Sequence, residues 1–297
     1  MLRRSPLKRG LIAVLLSVFT LAACGGDGND QAGTGGTGGG SAEAEQAIEQ
    51  TVRDSFEAEN ARDVRAFAAL WTNEGLEQYD VGTREDLEAG RNPDFGREQV
   101  TIIDFAETEA DGDEGSTTVD VISGASDVAK PVFRVRFAAI ERDGRWLLNG
   151  FEFVGSPPAP EGTEILEIGA IDYAFVLDRK EVPGEVAFSF SNTGQEAHEI
   201  ALFKGPDGTD IGTAKAALEN LDGSELDNVP EGYRVDHVAF ADARSNTDIT
   251  FAEPLPAGDY FLVCYIPQGG FTEEGEPVNP EGTPHVQLGM INTFTVR

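Results

Sequence analysis

The sequence predicts two folded domains, an α+β domain followed by an all-β sandwich. The 297 residues exceed the size of one average domain. Residues 42–155 begin with apolar residues at helical spacing and continue with period-two runs, whereas residues 164–297 contain mainly short strand-like runs between turn residues. Residues 156–163 are Pro-rich, and because proline neither pairs within a sheet nor continues a helix, this stretch predicts a linker.

The charge balance excludes some partners. The chain has 53 Asp and Glu against 22 Lys and Arg, for a net charge of −31. Four of the bases precede Cys24, where no acid occurs, so the remainder carries −35. A surface of this sign repels nucleic acid and anionic lipid headgroups, and we expect no nucleic-acid partner.

The N-terminus has the pattern of a targeting signal. Basic residues are followed by an apolar run, Leu11–Leu21, which is too short to span a membrane as a mature helix. Leu21-Ala22-Ala23-Cys24 resembles a bacterial lipobox. This resemblance implies removal of residues 1–23, diacylation of Cys24 and a lipoprotein anchored to the cell membrane, on its periplasmic side or at the cell surface. An ordinary secretory signal with a coincidental cysteine is the alternative. The Gly-rich residues 24–41 cannot bury a core and predict a tether.

The first domain is predicted to place helices before a curved antiparallel sheet. Helical spacing covers 44–60 and 64–71, and alternating runs predict strands near 100–105, 117–121, 132–137 and 146–153. Asp143-Gly144 predicts a hairpin turn between the last two strands. The helix Ala44–Asn60, the Phe67/Trp71 turn and the strand from Arg145 resemble the SnoaL-like, nuclear-transport-factor-two-like (NTF2-like) cone.

No catalytic residue stands out in this domain. Enzymes on that cone commonly use a His/Asp pair, but residues 42–155 contain neither His nor Cys, and Asp104, Glu107 and Asp120 are three acids among many. Trp71 and Trp146 are predicted to be core aromatics. We therefore expect a non-catalytic pocket or interaction module, with hydrolysis or isomerisation as a weaker alternative.

The second domain is predicted to contain about eight short strands, which form an antiparallel sandwich, and one short helix near 214–221. Its last forty residues hold Cys264, the only cysteine after Cys24, together with His285 and Met290. His198 follows an Asn-Thr-Gly turn at the start of a predicted strand. A thiolate, two imidazoles and a weak axial thioether form the blue-copper electron-transfer site.

The same residues carry a resemblance to a known family. Gly258-Asp-Tyr260 leading to Cys264, and His285-x₄-Met290 before Phe-Thr-Val, resemble the cupredoxins of the plastocyanin/azurin type. The resemblance implies a Greek-key sandwich, one copper bound by His198, Cys264, His285 and Met290, and single-electron transfer. The sequence departs from the family where twenty residues separate Cys264 from His285, and we interpret them as an excursion from the ligand loop, whose closure costs only about 2 kcal/mol more.

Other interpretations of these residues stay open. Cys264 alone would be a buried inert thiol and Met290 a core residue. The sandwich would then be an adhesion, assembly or copper-storage module beside a ligand-binding pocket. His237 is expected to be exposed and without a partner. The excursion carries Glu273, Glu274 and Glu276, which favour a redox protein partner with a basic docking surface.

Overall fold

A computed structural model describes residues 40–297, except residues 80, 94, 125–127, 222–228, 271–277 and 280. The predicted signal peptide, the lipidation residue Cys24, the tether up to residue 39 and the excursion acids Glu273, Glu274 and Glu276 lie outside the described residues. Gly40 and Ser41, assigned to the tether from sequence, instead open the first helix. Among the described residues, no helix combines the length and apolar character needed to cross a membrane.

Among the described residues, the first half, up to residue 155, begins with four helices. Helix α1 spans Gly40–Asn60 and buries Ile48, Val52 and Phe56, which recur at helical spacing. Three short helices follow: α2 Val64–Ala69, α3 Asn73–Gln78 and α4 Arg84–Glu88. Sequence periodicity did not predict α3 and α4, because helices of five or six residues show less than two turns of it. Their starts are fixed instead by the N-cap side chains of Thr72 and Thr83.

Four long antiparallel strands follow the helices. They are β1 Val100–Asp111, β2 Glu114–Ser123, β3 Pro131–Arg142 and β4 Arg145–Gly155, paired in sequence order. Asp143 and Gly144 have φ values of 53° and 73°, which confirms the predicted hairpin turn. Trp71 and Trp146 are buried in the core between helices and sheet, as predicted.

In the part of the chain that the structure describes, the second half, from residue 164 onward, contains nine strands and one helix. The predicted sequence of short strands is confirmed apart from β7, which at two residues is too short to show alternation. The elements are β5 Glu164–Ile171, β6 Ala174–Leu177, β7 Glu181–Val182, β8 Val186–Asn192, β9 His198–Lys204, α5 Ile211–Leu218, β10 Arg234–Ala241, β11 Asn246–Phe251, β12 Gly258–Val263 and β13 Ile291–Val296.

These strands form two facing sheets. One runs in the order β11-β8-β5-β6 and the other β10-β9-β12-β13-β7. Apolar side chains of both share one core, where the rings of Phe188 and Phe294 meet edge to face with centroids 5.7 Å apart. Most of these pairs are antiparallel, as predicted, but β5 pairs with β8 and β7 with β13 in parallel, which the sequence did not indicate. Alternation within a strand indicates which face is buried but not the direction of the neighbouring strand.

The two halves are joined by backbone pairing as well as by the linker. Strand β11 pairs with the start of β3, where Thr250 is opposite Val132. Val128 and Ala129 of the first half are buried in the core of the second. Folding of residues 42–155 without the second half would therefore expose these two side chains.

Candidate metal centre

Three potential metal ligands converge at one end of the sandwich. Nδ1 of His198 lies 3.1 Å from Nδ1 of His285. Sγ of Cys264 lies 3.4 Å from Nδ1 of His285 and 3.9 Å from Nδ1 of His198. All three side chains are fully buried. The structure therefore brings together three of the four ligands predicted from sequence, as a set in which all ligand atoms lie within 4.8 Å of one another.

His198 and Cys264 meet because they occupy the same end of two neighbouring strands. His198 is the first residue of β9, and Cys264 directly follows the last residue of β12. The two strands pair antiparallel, with Val263 opposite Ala201. The start of one strand therefore lies beside the end of the other.

His285 reaches the site through a short extension of the β12 backbone pairing. The N–H of Val286 donates to the Cys264 carbonyl at 2.8 Å, and the N–H of His285 donates to the Ile266 carbonyl at 3.0 Å. The N–H of Gln268 then donates to the Thr283 carbonyl at 3.0 Å. The excursion thus begins and ends in a hydrogen-bonded neck, formed by Ile266 with His285 and Gln268 with Thr283, which holds His285 beside Cys264.

The backbone of Met290 is hydrogen-bonded to two of the three ligand residues, Cys264 and His285. Its carbonyl accepts the N–H of Cys264 at 3.3 Å, and its own N–H donates to the His285 carbonyl at 2.9 Å. The side chain is fully buried in the same apolar cluster as Cys264. Its role as a fourth, axial ligand stays a prediction.

Burial sets the protonation of the three ligands. It lowers the pKa of His198 to about 4, helped by the nearby His285 and opposed by Glu196. Burial also lowers the pKa of His285, against the attraction of Glu196. Both imidazoles are therefore neutral near pH 7, which is the form that binds metals. Burial and the charge of Glu199 raise the pKa of the Cys264 thiol, so its proton leaves only when a cation takes its place.

The donor set fits copper. One thiolate and two neutral imidazoles suit a soft, one-electron metal, and hard cations such as Mg²⁺ and Ca²⁺ prefer oxygen ligands. In addition, Nε2 of His198 is buried and has no hydrogen-bond partner among the described residues. An unsatisfied buried polar atom costs about 1–3 kcal/mol. A metal bond at Nδ1 would outweigh this cost, because it adds a strong bond on the other side of the same ring.

Two glutamates beside the ligands were not predicted from sequence. Oε2 of Glu196 lies 3.0 Å from Nε2 of His285. The backbone N–H of Glu199 donates to Sγ of Cys264 at 3.5 Å. The side-chain Oε1 of Glu199 accepts the backbone N–H of Tyr265 at 2.9 Å. Both glutamates lie within two residues of His198 in sequence. In a chain with so many acids, this closeness is the one sequence feature that could have drawn them into the predicted site.

The expectation for His237 was wrong. This side chain is half-buried, and its Nδ1 lies 3.6 Å from Oε2 of Glu199. The alternating pattern of β10 does not indicate exposure here, because a register shift between His237 and Ala239 interrupts its pairing with β9. His237 does not belong to the group of ligand atoms.

Among the acids considered in the first half, Asp120 has a structural role. It pairs with Arg134 on the neighbouring strand, with Nε to Oδ1 at 2.7 Å and Nη2 to Oδ2 at 2.8 Å. A carboxylate held in such a two-bond ion pair is not free to act as a base. The expectation of a non-catalytic first domain stays a prediction.

Comparisons with known proteins give partial likenesses. No protein-family model and no curated protein matches the chain. An NTF2-like protein of unknown function from Pseudomonas putida is 15% identical over 41% of this chain and 92% of its own, with a TM-score of 0.32. Reduced auracyanin from the photosynthetic bacterium Roseiflexus castenholzii is 22% identical over 46% and 98%, with a TM-score of 0.28. Auracyanin B is 22% identical over 48% and 93%, also with a TM-score of 0.28. Because these scores are low, the assignment of the metal centre rests on its own geometry.

Proposed function

We propose that this protein is an extracytoplasmic type 1 copper protein that binds one copper through His198, Cys264, His285 and Met290 and transfers single electrons. The observation that carries the proposal is the convergence of the two imidazole Nδ1 atoms and the thiol sulfur in a fully buried cluster. Copper bound there supplies one-electron chemistry through its Cu(II)/Cu(I) couple.

The sandwich supports this function by holding the ligands rigidly. His198 is fixed by strand pairing to Ala241, and the main chain of Cys264 is hydrogen-bonded to both Val286 and Met290. Fixed ligands need little rearrangement when the charge at the centre changes by one, and small rearrangement favours fast electron transfer. Burial of all three donors also excludes water from the centre.

The proposal includes an anchor and a partner. A diacylated Cys24 would hold the protein at the outer face of the cytoplasmic membrane or on the outer membrane, since two acyl chains give stable anchoring. The Gly-rich residues after it would keep the folded part clear of the headgroups. With its large negative charge, the protein would exchange electrons with a redox protein whose docking surface is basic.

A reversible redox titration of the copper-loaded protein tests this function. We expect one electron per protein, recovered in both directions, and loss of this activity in Cys264→Ser. A non-redox scaffold or a storage protein is the competing function. Copper that binds but does not cycle would contradict electron transfer and favour storage, and failure to bind copper would favour the scaffold.

A further inference from the structure

We infer that Glu196 is a positioning residue of the metal centre: its carboxylate orients His285 through Nε2 and places a negative charge next to the bound cation. The inference rests on the proposed function and adds to it a residue outside the four predicted ligands. Glu196 does not touch the ligand atoms themselves, because it contacts the ring nitrogen on the far side of His285.

The carboxylate is held by three segments of the chain. Oε2 lies 3.0 Å from His285 Nε2 and accepts the backbone N–H of Gly269 at 2.9 Å, and Oε1 accepts the hydroxyl of Tyr173 at 3.1 Å. The side chain of Asn192 fixes the backbone of the same turn by donating to the Glu196 carbonyl at 2.8 Å. Glu196 therefore joins the turn before β9, the β5–β6 turn and the neck of the excursion around one imidazole.

These contacts determine which nitrogen of His285 is free to bind a metal. Oε1 and Oε2 of Glu196 already accept hydrogen bonds from the Tyr173 hydroxyl and the Gly269 N–H, so both oxygens of the carboxylate act as acceptors here. An ionised carboxylate only accepts hydrogen bonds, so Nε2 of His285 carries the proton. In the neutral ring, Nδ1 then presents its lone pair toward His198 and Cys264, as a ligand requires.

The same contacts seal the outer edge of the ring. The ring of Tyr173 lies against that of His285 with centroids 5.0 Å apart, and the His285 side chain is fully buried although it lies in a loop. The Glu196 side chain remains 24% exposed. Its charge is therefore partly screened by water, and its effect on the centre is smaller than that of a fully buried carboxylate.

Two consequences follow for copper. A ligand histidine whose outer nitrogen donates to a carboxylate is a more basic ligand, and removal of such a partner typically reduces metal affinity 10–100-fold. The negative charge also stabilises Cu(II) more than Cu(I), because the former carries the larger charge. If Cu(II) affinity falls tenfold while Cu(I) affinity is unchanged, the reduction potential rises by about 59 mV.

Three variants of the full-length mature protein test the inference. Glu196→Gln keeps the size and an accepting oxygen but removes the charge, and Glu196→Ala removes both. Glu185→Gln makes the same charge change at an exposed position before β8, whose seven residues place it about 20 Å from the site end of that strand. Cu(II) and Cu(I) affinities are measured by chelator competition, the potential by redox titration, and the folding of each variant by circular dichroism.

We expect Glu196→Ala to lose 10–100-fold in Cu(II) affinity and Glu196→Gln to raise the potential with a smaller loss of affinity. Glu185→Gln should match the wild type. If both Glu196 variants behave like Glu185→Gln while the wild type binds copper, the inference about Glu196 is wrong and the proposed function stands. If the wild type binds no copper, the proposed function itself fails. If Glu196→Ala does not fold, Glu196→Gln decides the question alone.

Discussion

The Sγ atom of Cys264 lies 3.4 Å from Nδ1 of His285, although twenty residues separate them in sequence. Paired backbone at the base of the excursion produces this proximity: Ile266 accepts from His285, and Thr283 accepts from Gln268. The long Cys-to-His spacing is therefore an insertion beyond a closed neck.

Residues 271–277 of the excursion should be dispensable for copper binding. The N–H of Val278 donates to the Gly270 carbonyl at 2.9 Å, so an Asn-Gly turn can replace residues 271–277. We expect the copper spectrum of this variant to match that of the wild type. A lost or altered spectrum would show that the deleted residues shape the centre itself.

The acids of the excursion should govern docking. A triple variant, Glu273→Gln with Glu274→Gln and Glu276→Gln, keeps the length and removes three negative charges. We expect slower electron exchange with a small basic redox protein at low salt, and a difference that disappears at high salt, because these charges accelerate association. Stopped-flow kinetics at two ionic strengths measure this effect, and equal rates at low salt would contradict it.

The thioether of Met290 should tune the centre without being essential to it. Met290→Leu nearly preserves volume in a fully buried position, so the cost in unfolding free energy should stay below about 1.5 kcal/mol. We expect retained copper and a higher reduction potential, since the axial ligand sets the potential. Redox titration and copper analysis provide the check. Loss of copper would show that Met290 is a strong ligand, and an unchanged potential would exclude it as a ligand.

Glu59 should make the first half less stable at high pH. Burial raises the pKa of this carboxyl to about 7, against the hydrogen bond from Tyr79 and with help from Glu98. Below pH 4.5 both folded and unfolded states are protonated and the full stability is present. As the pH rises through 7, the unfolded carboxyl ionises first, and stability falls by up to about 3 kcal/mol.

Tryptophan fluorescence isolates this effect, because both tryptophans, Trp71 and Trp146, lie in the first half. Denaturant unfolding at pH 5 and pH 8 should show a drop in the wild type and a flatter profile in Glu59→Gln. Parallel profiles for the two proteins would exclude Glu59 as the cause.

The mature protein should begin at a lipid-modified Cys24. The pattern Leu21-Ala22-Ala23-Cys24 after a basic and then an apolar stretch motivates this expectation. Intact-mass analysis of membrane extracts should show a diacylglyceryl adduct, and Cys24→Ala should abolish it. Release of unmodified protein into the medium would contradict the anchor.

Much of the site could be predicted from sequence because its chemistry is rare in this chain. The region beyond Cys24 has one cysteine and one methionine, so Cys264 and Met290 are the only candidates there for sulfur ligands. Glu196 could not be found in this way, since it is one of 53 acids and its contact with His285 spans 89 positions. Strand positions were predicted from alternation, whereas the parallel pairing of β5 with β8 depends on tertiary packing.

The absorption spectrum during a Cu(II) titration tests the central claim most directly. A thiolate bound to Cu(II) gives an intense visible charge-transfer band, so the wild-type protein should turn blue or green and saturate at one copper per chain. Cys264→Ser should lose this band because the sulfur ligand is gone. A wild-type protein that stays colourless, or a spectrum unchanged by Cys264→Ser, would contradict a copper centre at His198, Cys264 and His285.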